Sequence, residues 1–100
     1  MKIKSTNQND VLTIAVEGRI DSTNASELEE VINKEIRGCE VLVFDFEKLE
    51  YISSAGLRIL LGAKKFMGNK SMKVININSV VNEVFEITGF SYLLELTIDN

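Results

Sequence analysis

Hydrophobic positions along the chain change spacing several times, and each change predicts an element. Val11, Thr13, Ile14 and Val16 form a run rich in β-branched residues, which predicts a strand from Val11 to Val16. The mixed segment Lys2 to Ser5 predicts a shorter strand, pairing with it as a hairpin through the polar turn Asn7-Gln8-Asn9-Asp10. Gly18, within Glu17-Gly18-Arg19-Ile20-Asp21, marks a bend or bulge. Ala25, Leu28, Val31, Ile32 and Ile36 then fall at three- and four-residue spacing, the period of a helix buried on one face. Glu27, Glu29, Glu30, Lys34 and Glu35 form its wet side. Ser22, Thr23 and Asn24 offer N-caps, with Asn24 and Glu27, or Ser26 and Glu29, at capping-box spacing. Gly38 ends this helix by taking a positive φ.

The run from Cys39 to Phe46 is nearly continuously apolar until Asp45, which predicts a central strand. Leu49, Tyr51 and Ile52 carry apolar residues through the next loop and anchor it against the core. A helix follows Ser53-Ser54, carries Leu57, Ile59, Leu60, Leu61 and Phe66, and ends at Phe66 or Met67 before the turn Gly68-Asn69-Lys70-Ser71. Met72 to Ile77 is a further strand. Asn78-Ser79 precedes a helix from Val80 to Thr88, with Val81, Val84 and Phe85 inward and Gly89 as terminator. Phe85 and Ile87 do not both fit the inner face, so one is left outside. Phe90 and Tyr92 begin the last connection, and Leu93 to Ile98 predicts a final strand.

The order is therefore β-β-α-β-α-β-α-β, an α/β class with a mixed sheet of four to five strands packed with helices. A chain of 100 residues makes one domain, 1–100. In such sheets functional groups lie beyond the carboxyl ends of the parallel strands, the side reached by Ser53-Ser54 and by Asn78.

Composition narrows the classes. The net charge of −4 and the absence of a basic stripe argue against nucleic acid as a partner. No apolar run is long enough to span a bilayer, and Met1-Lys2-Ile3-Lys4 lacks a signal-peptide pattern, so a cytoplasmic protein is expected. Cys39 is the single cysteine and reads as buried packing. With no histidine, neither a His-dependent triad nor an ordinary structural zinc site is expected. The Gly-x-Ser-x-Gly, Ser-x-x-Lys and phosphate-binding glycine patterns are absent, so no enzyme, metal or cofactor is expected.

The paired hydroxyls at Ser53-Ser54 remain. One serine at a helix start is a cap, accepting an orphan backbone N–H for about 1 kcal/mol. A phosphate at the same place is favoured by the helix dipole and adds roughly −1.5 to −2 charge. Both readings stand on the residues alone.

The segment Asp45 to Leu61, DFEKLEYISSAGLRILL, resembles the signature of the STAS family. Four elements match in order: Gly18-Arg19-Ile20-Asp21, Val43 to Asp45, Tyr51-Ile52-Ser53-Ser54-Ala55-Gly56-Leu57 and Phe85-Glu86-Ile87-Thr88-Gly89-Phe90. The resemblance covers essentially the whole chain and implies a STAS-like fold. It implies an anti-sigma factor antagonist, an anti-anti-sigma factor that binds an anti-sigma factor serine kinase and so releases a sigma factor. It is switched off by phosphorylation and restored by a serine phosphatase.

The family's phosphoserine corresponds to Ser54. Ser53 replaces the family's usual Asp, Ala55 replaces its second hydroxyl residue, and Arg58 stands where glycine is common. The implied partner surface comprises Asp21, Ser22, Thr23, Ser53, Ser54, Ala55, Gly56, Arg58 and Asn78, with Ser79 on the same rim. Asp21 reads equally as a turn residue, and Asn78 equally as a plain helix cap. Asp45 is expected to bond backbone N–H groups of the next loop. A mainly monomeric protein without direct membrane insertion is implied. The alternative is a STAS adaptor without sigma-factor work, as a stress-signalling scaffold or a cytoplasmic subunit of a lipid transporter.

Overall fold

The computed structural model describes residues 1–90 together with the backbone of 97–99. Strand β1 (Lys2–Gln8) pairs antiparallel with β2 (Val11–Ile20), from Lys2 opposite Glu17 to Gln8 opposite Val11. The turn is tighter than the predicted polar tetrad. Only Asn9 and Asp10 lie between the strands, both at positive φ (52° and 64°), the backbone of a primed hairpin turn that Asn and Asp tolerate. The remaining strands are β3 (Val41–Asp45), β4 (Leu49–Ile52), β5 (Ser71–Ile75) and β6 (Thr97–Asp99). The sheet order is β1-β2-β3-β5-β6, and every pairing beyond the hairpin is parallel.

The order predicted from sequence holds with one addition. Leu49–Ile52 is not a loop but strand β4, which pairs with Gly18–Ile20 of β2 beyond the point where β3 leaves off. Of the last predicted strand, residues 93–96 lie outside the described residues, as does Tyr92.

Helices α1 (Ala25–Glu35), α2 (Ser54–Met67) and α3 (Ser79–Thr88) supply the other layer. The strands alternate in burial: Leu12, Ile14, Val16, Leu42 and Phe44 are buried, while Val11, Thr13, Ala15, Val41 and Val43 are only partly so. That alternation means the helices cover one face of the sheet. The apolar run of β3 thus serves one packed face and one open one.

On α1, Ala25, Leu28 and Ile32 are buried, as is Ile36 at the C-cap, and Val31 sits at the margin. Met67 is buried while Phe66 stays 58% exposed, and Phe85 is buried while Ile87 is 76% exposed. Cys39 is buried with Sγ 3.8 Å from the Met67 sulfur, and burial pushes its thiol pKa up. Among the described residues no helix is long and apolar enough to cross a membrane.

Candidate functional site

Strand β4 sets where α2 begins. It ends at Ile52, and the Ser53 N–H donates to the Ile20 carbonyl at 2.9 Å, continuing the parallel pairing by one rung. Ser53 is extended (φ −91°, ψ 176°), and its carbonyl accepts the Leu57 N–H at 3.0 Å, which starts the helix. Ser53 therefore occupies the N-cap position, but its side chain makes no capping bond. Its Oγ is buried without a hydrogen-bond partner. A serine here is expected either to cap the helix or to line the loop, and the capping role is the one the structure corrects. The hydroxyl points into the protein, not along the orphan N–H groups.

Ser54 is the first residue of α2 and is exposed. The first turn of this helix carries no acidic residue. Gly56 is buried beneath it, against the β2–β4 ladder. A Cβ there would lie 2.6 Å from Ile52 Cγ1 and 2.7 Å from Ile20 Cγ2, closer than real Cβ contacts. A missing side chain is what lets the Ser54 turn sit directly on the sheet. Ala55 is half-buried beside it, and Arg58, four residues on from Ser54, is exposed on the same helix face.

The ladder bond between Ser53 and Ile20 brings the β2–α1 turn alongside. Asp21 organises that turn: its Oδ1 accepts the Thr23 N–H at 2.9 Å and the Thr23 hydroxyl at 2.6 Å. Its carbonyl accepts the Ala25 N–H at 2.9 Å. The Thr23 hydroxyl bond, then its backbone N–H, hold the Asp21 pKa below the ordinary carboxylate value. Asn24 stands at the N-cap of α1 but makes no capping bond. Its Oδ1 accepts the Asp21 N–H and its Nδ2 donates to the Arg19 carbonyl, each at 2.9 Å, so the expected capping box is replaced by a clamp on the preceding turn. Ser22 and Thr23 are exposed.

Asn78 is at the other end of β4. Its Oδ1 accepts the Val81 N–H at 2.8 Å, capping α3, and its Nδ2 donates to the Leu49 carbonyl at 2.8 Å. Both halves of the amide are thus engaged in holding α3 to β4. Asp45 accepts the Glu47 N–H at 3.1 Å, the loop bond its position implied, and also the Asn76 Nδ2 at 3.1 Å.

The fold therefore gathers Asp21, Ser22 and Thr23 with Ser53, Ser54, Ala55, Gly56 and Arg58, and sets Asn78 apart as a structural tie. One pair escaped the sequence reading. Arg19 lies over the Tyr51 ring, 4.7 Å from its centroid. No periodic signal marked it: Leu49-Glu50-Tyr51-Ile52 does not alternate, because the bulge opposite Gly18 and Arg19 breaks the period, and the strand is recognised only through its pairing with β2.

Comparisons with known proteins agree with this architecture. The family model for the STAS domain matches residues 2–100. A protein of Bordetella bronchiseptica named as a candidate anti-sigma factor antagonist, BtrV, is 33% identical over 93 residues, covering 90% of this chain and 80% of its own. An anti-sigma factor antagonist from Mycobacterium paratuberculosis superposes with a TM-score of 0.87 at 22% identity, over 98% of this chain and 84% of the other. The anti-sigma factor antagonist SpoIIAA in its unphosphorylated form gives a TM-score of 0.84 at 18% identity, over 99% of this chain and 88% of that one.

Proposed function

The chain belongs to the STAS domain family, and from that premise we propose that it is an anti-sigma factor antagonist switched by phosphorylation of Ser54. In the unmodified state it binds an anti-sigma factor that is also a serine kinase, and so frees a sigma factor. Phosphate transfer to Ser54 ends the binding, and a serine phosphatase restores it. The protein works by binding and contributes no catalytic group of its own.

One observation carries the choice of residue. Of the two adjacent hydroxyls, Ser53 Oγ is buried without a partner, whereas Ser54 is exposed on the first turn of α2. A kinase reaches the second and not the first. The phosphate would add roughly −1.5 to −2 charge at a helix N-terminus, where backbone N–H groups and the dipole favour an anion. With Ser54 already on the surface, the mark changes the charge and bulk of the face that meets the partner and leaves the core untouched. The relation to BtrV supports the partner class, and the organised Asp21 turn beside Ser54 supports a preformed docking face.

The test is incubation of the whole protein with the serine-kinase anti-sigma factors encoded in the same genome, with ATP, followed by peptide mass spectrometry. Phosphate on Ser54, absent in Ser54→Ala, is the expected outcome. Modification confined to Ser53, or none with any kinase, refutes the assignment.

A further inference from the structure

Beside the Ser54 turn the fold displays a cation that its own packing does not require. In the parallel register of β2 and β4, Ile20 stands beside Ile52 and Arg19 beside Tyr51. Ile20 and Ile52 are fully buried under α2. Successive residues on a strand face opposite ways, so Arg19 and Tyr51 project from the other side. Arg19 is exposed, Tyr51 is half-buried, and the guanidinium carbon lies 4.7 Å from the ring centroid.

A bulge produces this arrangement. Pairing steps from Gly18–Leu49 to Arg19–Tyr51, skipping Glu50, with Gly18 at φ 94°. A regular register would set Arg19 beside Glu50, a carboxylate able to neutralise it. The shifted register sets it on an aromatic face instead, which orients the guanidinium. Bulges next to functional sites commonly re-aim a side chain in this way.

Among the described residues Arg19 has no ion-pair partner; the pair found there is Lys70 with Glu40. Asp21, the carboxylate two residues on, accepts both Thr23 hydrogen bonds and forms no ion pair with Arg19, whose charge acts on it only as the smallest of the causes that lower its pKa. A guanidinium held by stacking loses little freedom when it meets a carboxylate, and Arg and Tyr are both enriched at interface hot spots.

The pair also lies within reach of the switch. Ser54 follows Tyr51 by three residues, at most about 11 Å of chain. Adjacent strands lie about 4.8 Å apart, which puts Arg19 within roughly 15 Å of Ser54. A standard interface takes about 800 Å² from each partner, a patch roughly 30 Å across, so one footprint spans both.

We infer that Arg19, stacked on Tyr51, is a docking anchor for an exposed Asp or Glu side chain of the anti-sigma factor that engages the Ser54 face. The inference rests on the functional reading above and adds to it the chemistry of one contact. It is tested by titration calorimetry of the whole protein against the serine-kinase anti-sigma factor from the same genome, at low and high salt. The comparison is wild type with Arg19→Glu, Arg19→Lys, Tyr51→Leu and Ser54→Glu.

Arg19→Glu is expected to bind about tenfold or more weakly and to lose part of the salt dependence. Arg19→Lys and Tyr51→Leu should fall between it and wild type, since one keeps the charge without the planar fork and the other keeps the fork without its platform. Melting temperature and circular dichroism show that each variant is folded. Binding of Arg19→Glu within twofold of wild type, while Ser54→Glu fails to bind, overturns the anchor and leaves the switch standing. If wild type binds none of the anti-sigma factors, the functional reading falls and the anchor with it, an outcome that does not depend on Arg19.

Discussion

Replacing Gly56 by alanine tests the close approach of α2 to the sheet. The new Cβ would meet Ile52 Cγ1 at 2.6 Å, Ile20 Cγ2 at 2.7 Å and Ile52 Cδ1 at 3.1 Å. Normal carbon–carbon contact is about 3.5–4.0 Å, so the helix start must lift by about 1 Å or the isoleucines must move. Both isoleucines are fully buried, β-branched and stiff at χ1, so neither swings aside freely. Overpacking of this kind costs about 1–3 kcal/mol, and two contacts below 3 Å place this site in the upper half of that range. Alanine returns about 1 kcal/mol through its better helix propensity. The net loss is about 1–2 kcal/mol, which lowers the melting temperature by about 5–15 °C in a domain of this size.

The control is in the same helix. Gly62 has no atom within 4 Å of where its Cβ would stand, and it is exposed. Gly62→Ala should therefore stabilise by about 0.5–1 kcal/mol, from propensity alone. Calorimetric melting of the two variants beside wild type is the assay. The same substitution in one helix must give opposite signs. If Gly56→Ala melts at or above wild type, the argument that glycine is required for the Ser54 turn to reach the sheet is wrong.

The other side chains around the site give two further expectations. Ser53→Ala removes a buried hydroxyl that has no partner, so it should melt at or above wild type; a loss of about 1 kcal/mol, seen as a drop of about 4–8 °C, would mean that Ser53 caps α2 after all. Asn78→Ala removes the α3 cap and leaves the Leu49 carbonyl unpaired, at an expected cost of about 1–2 kcal/mol in denaturant unfolding. Asn78→Asp keeps the acceptor and loses the donor, so it should lie between the two; a wild-type midpoint for Asn78→Ala would show that the tie carries no stability.

Periodicity made most of the fold legible. Leu28 and Ile32 with Ala25, or Leu12 and Ile14 with Val16, face the core because spacing alone requires it once one face is covered. What spacing missed were features set by partners distant in sequence. Strand β4 has four residues, too few for a clear period, and exists because β2 runs past β3 and offers an unpaired edge at Gly18–Ile20.

The caps failed for a related reason. Ser53 and Asn24 have the residue types and positions of N-caps, but the Ser53 side chain is drawn into the interior and that of Asn24 back onto the Asp21 turn. A propensity of about 1 kcal/mol does not outweigh the geometry imposed by a ladder bond and a packed helix start. The family resemblance singled out Ser54; the structure separates the two hydroxyls by access alone, with Ser54 exposed and the Ser53 Oγ buried.

The way the site is fastened decides what kind of switch it can be. Three constraints fix the start of α2: the Ser53 N–H to the Ile20 carbonyl, the Leu57 N–H to the Ser53 carbonyl, and the contact of Gly56 with Ile20 and Ile52. None involves the Ser54 side chain, so adding a phosphate breaks none of them. A switch at such a place acts through the surface and not by unfolding a segment. The signal must then lie in local electrostatics, and the chain as a whole, at −4, already repels an acidic partner. Arg19 and Arg58, both exposed, oppose that background near Ser54, where a dianionic phosphate would cancel much of their combined charge. Under the proposed function, the expected outcome is a binding equilibrium whose salt dependence, measured by titration calorimetry at low and high salt, is steeper for unmodified protein than for phosphorylated protein, with the same circular dichroism in both states.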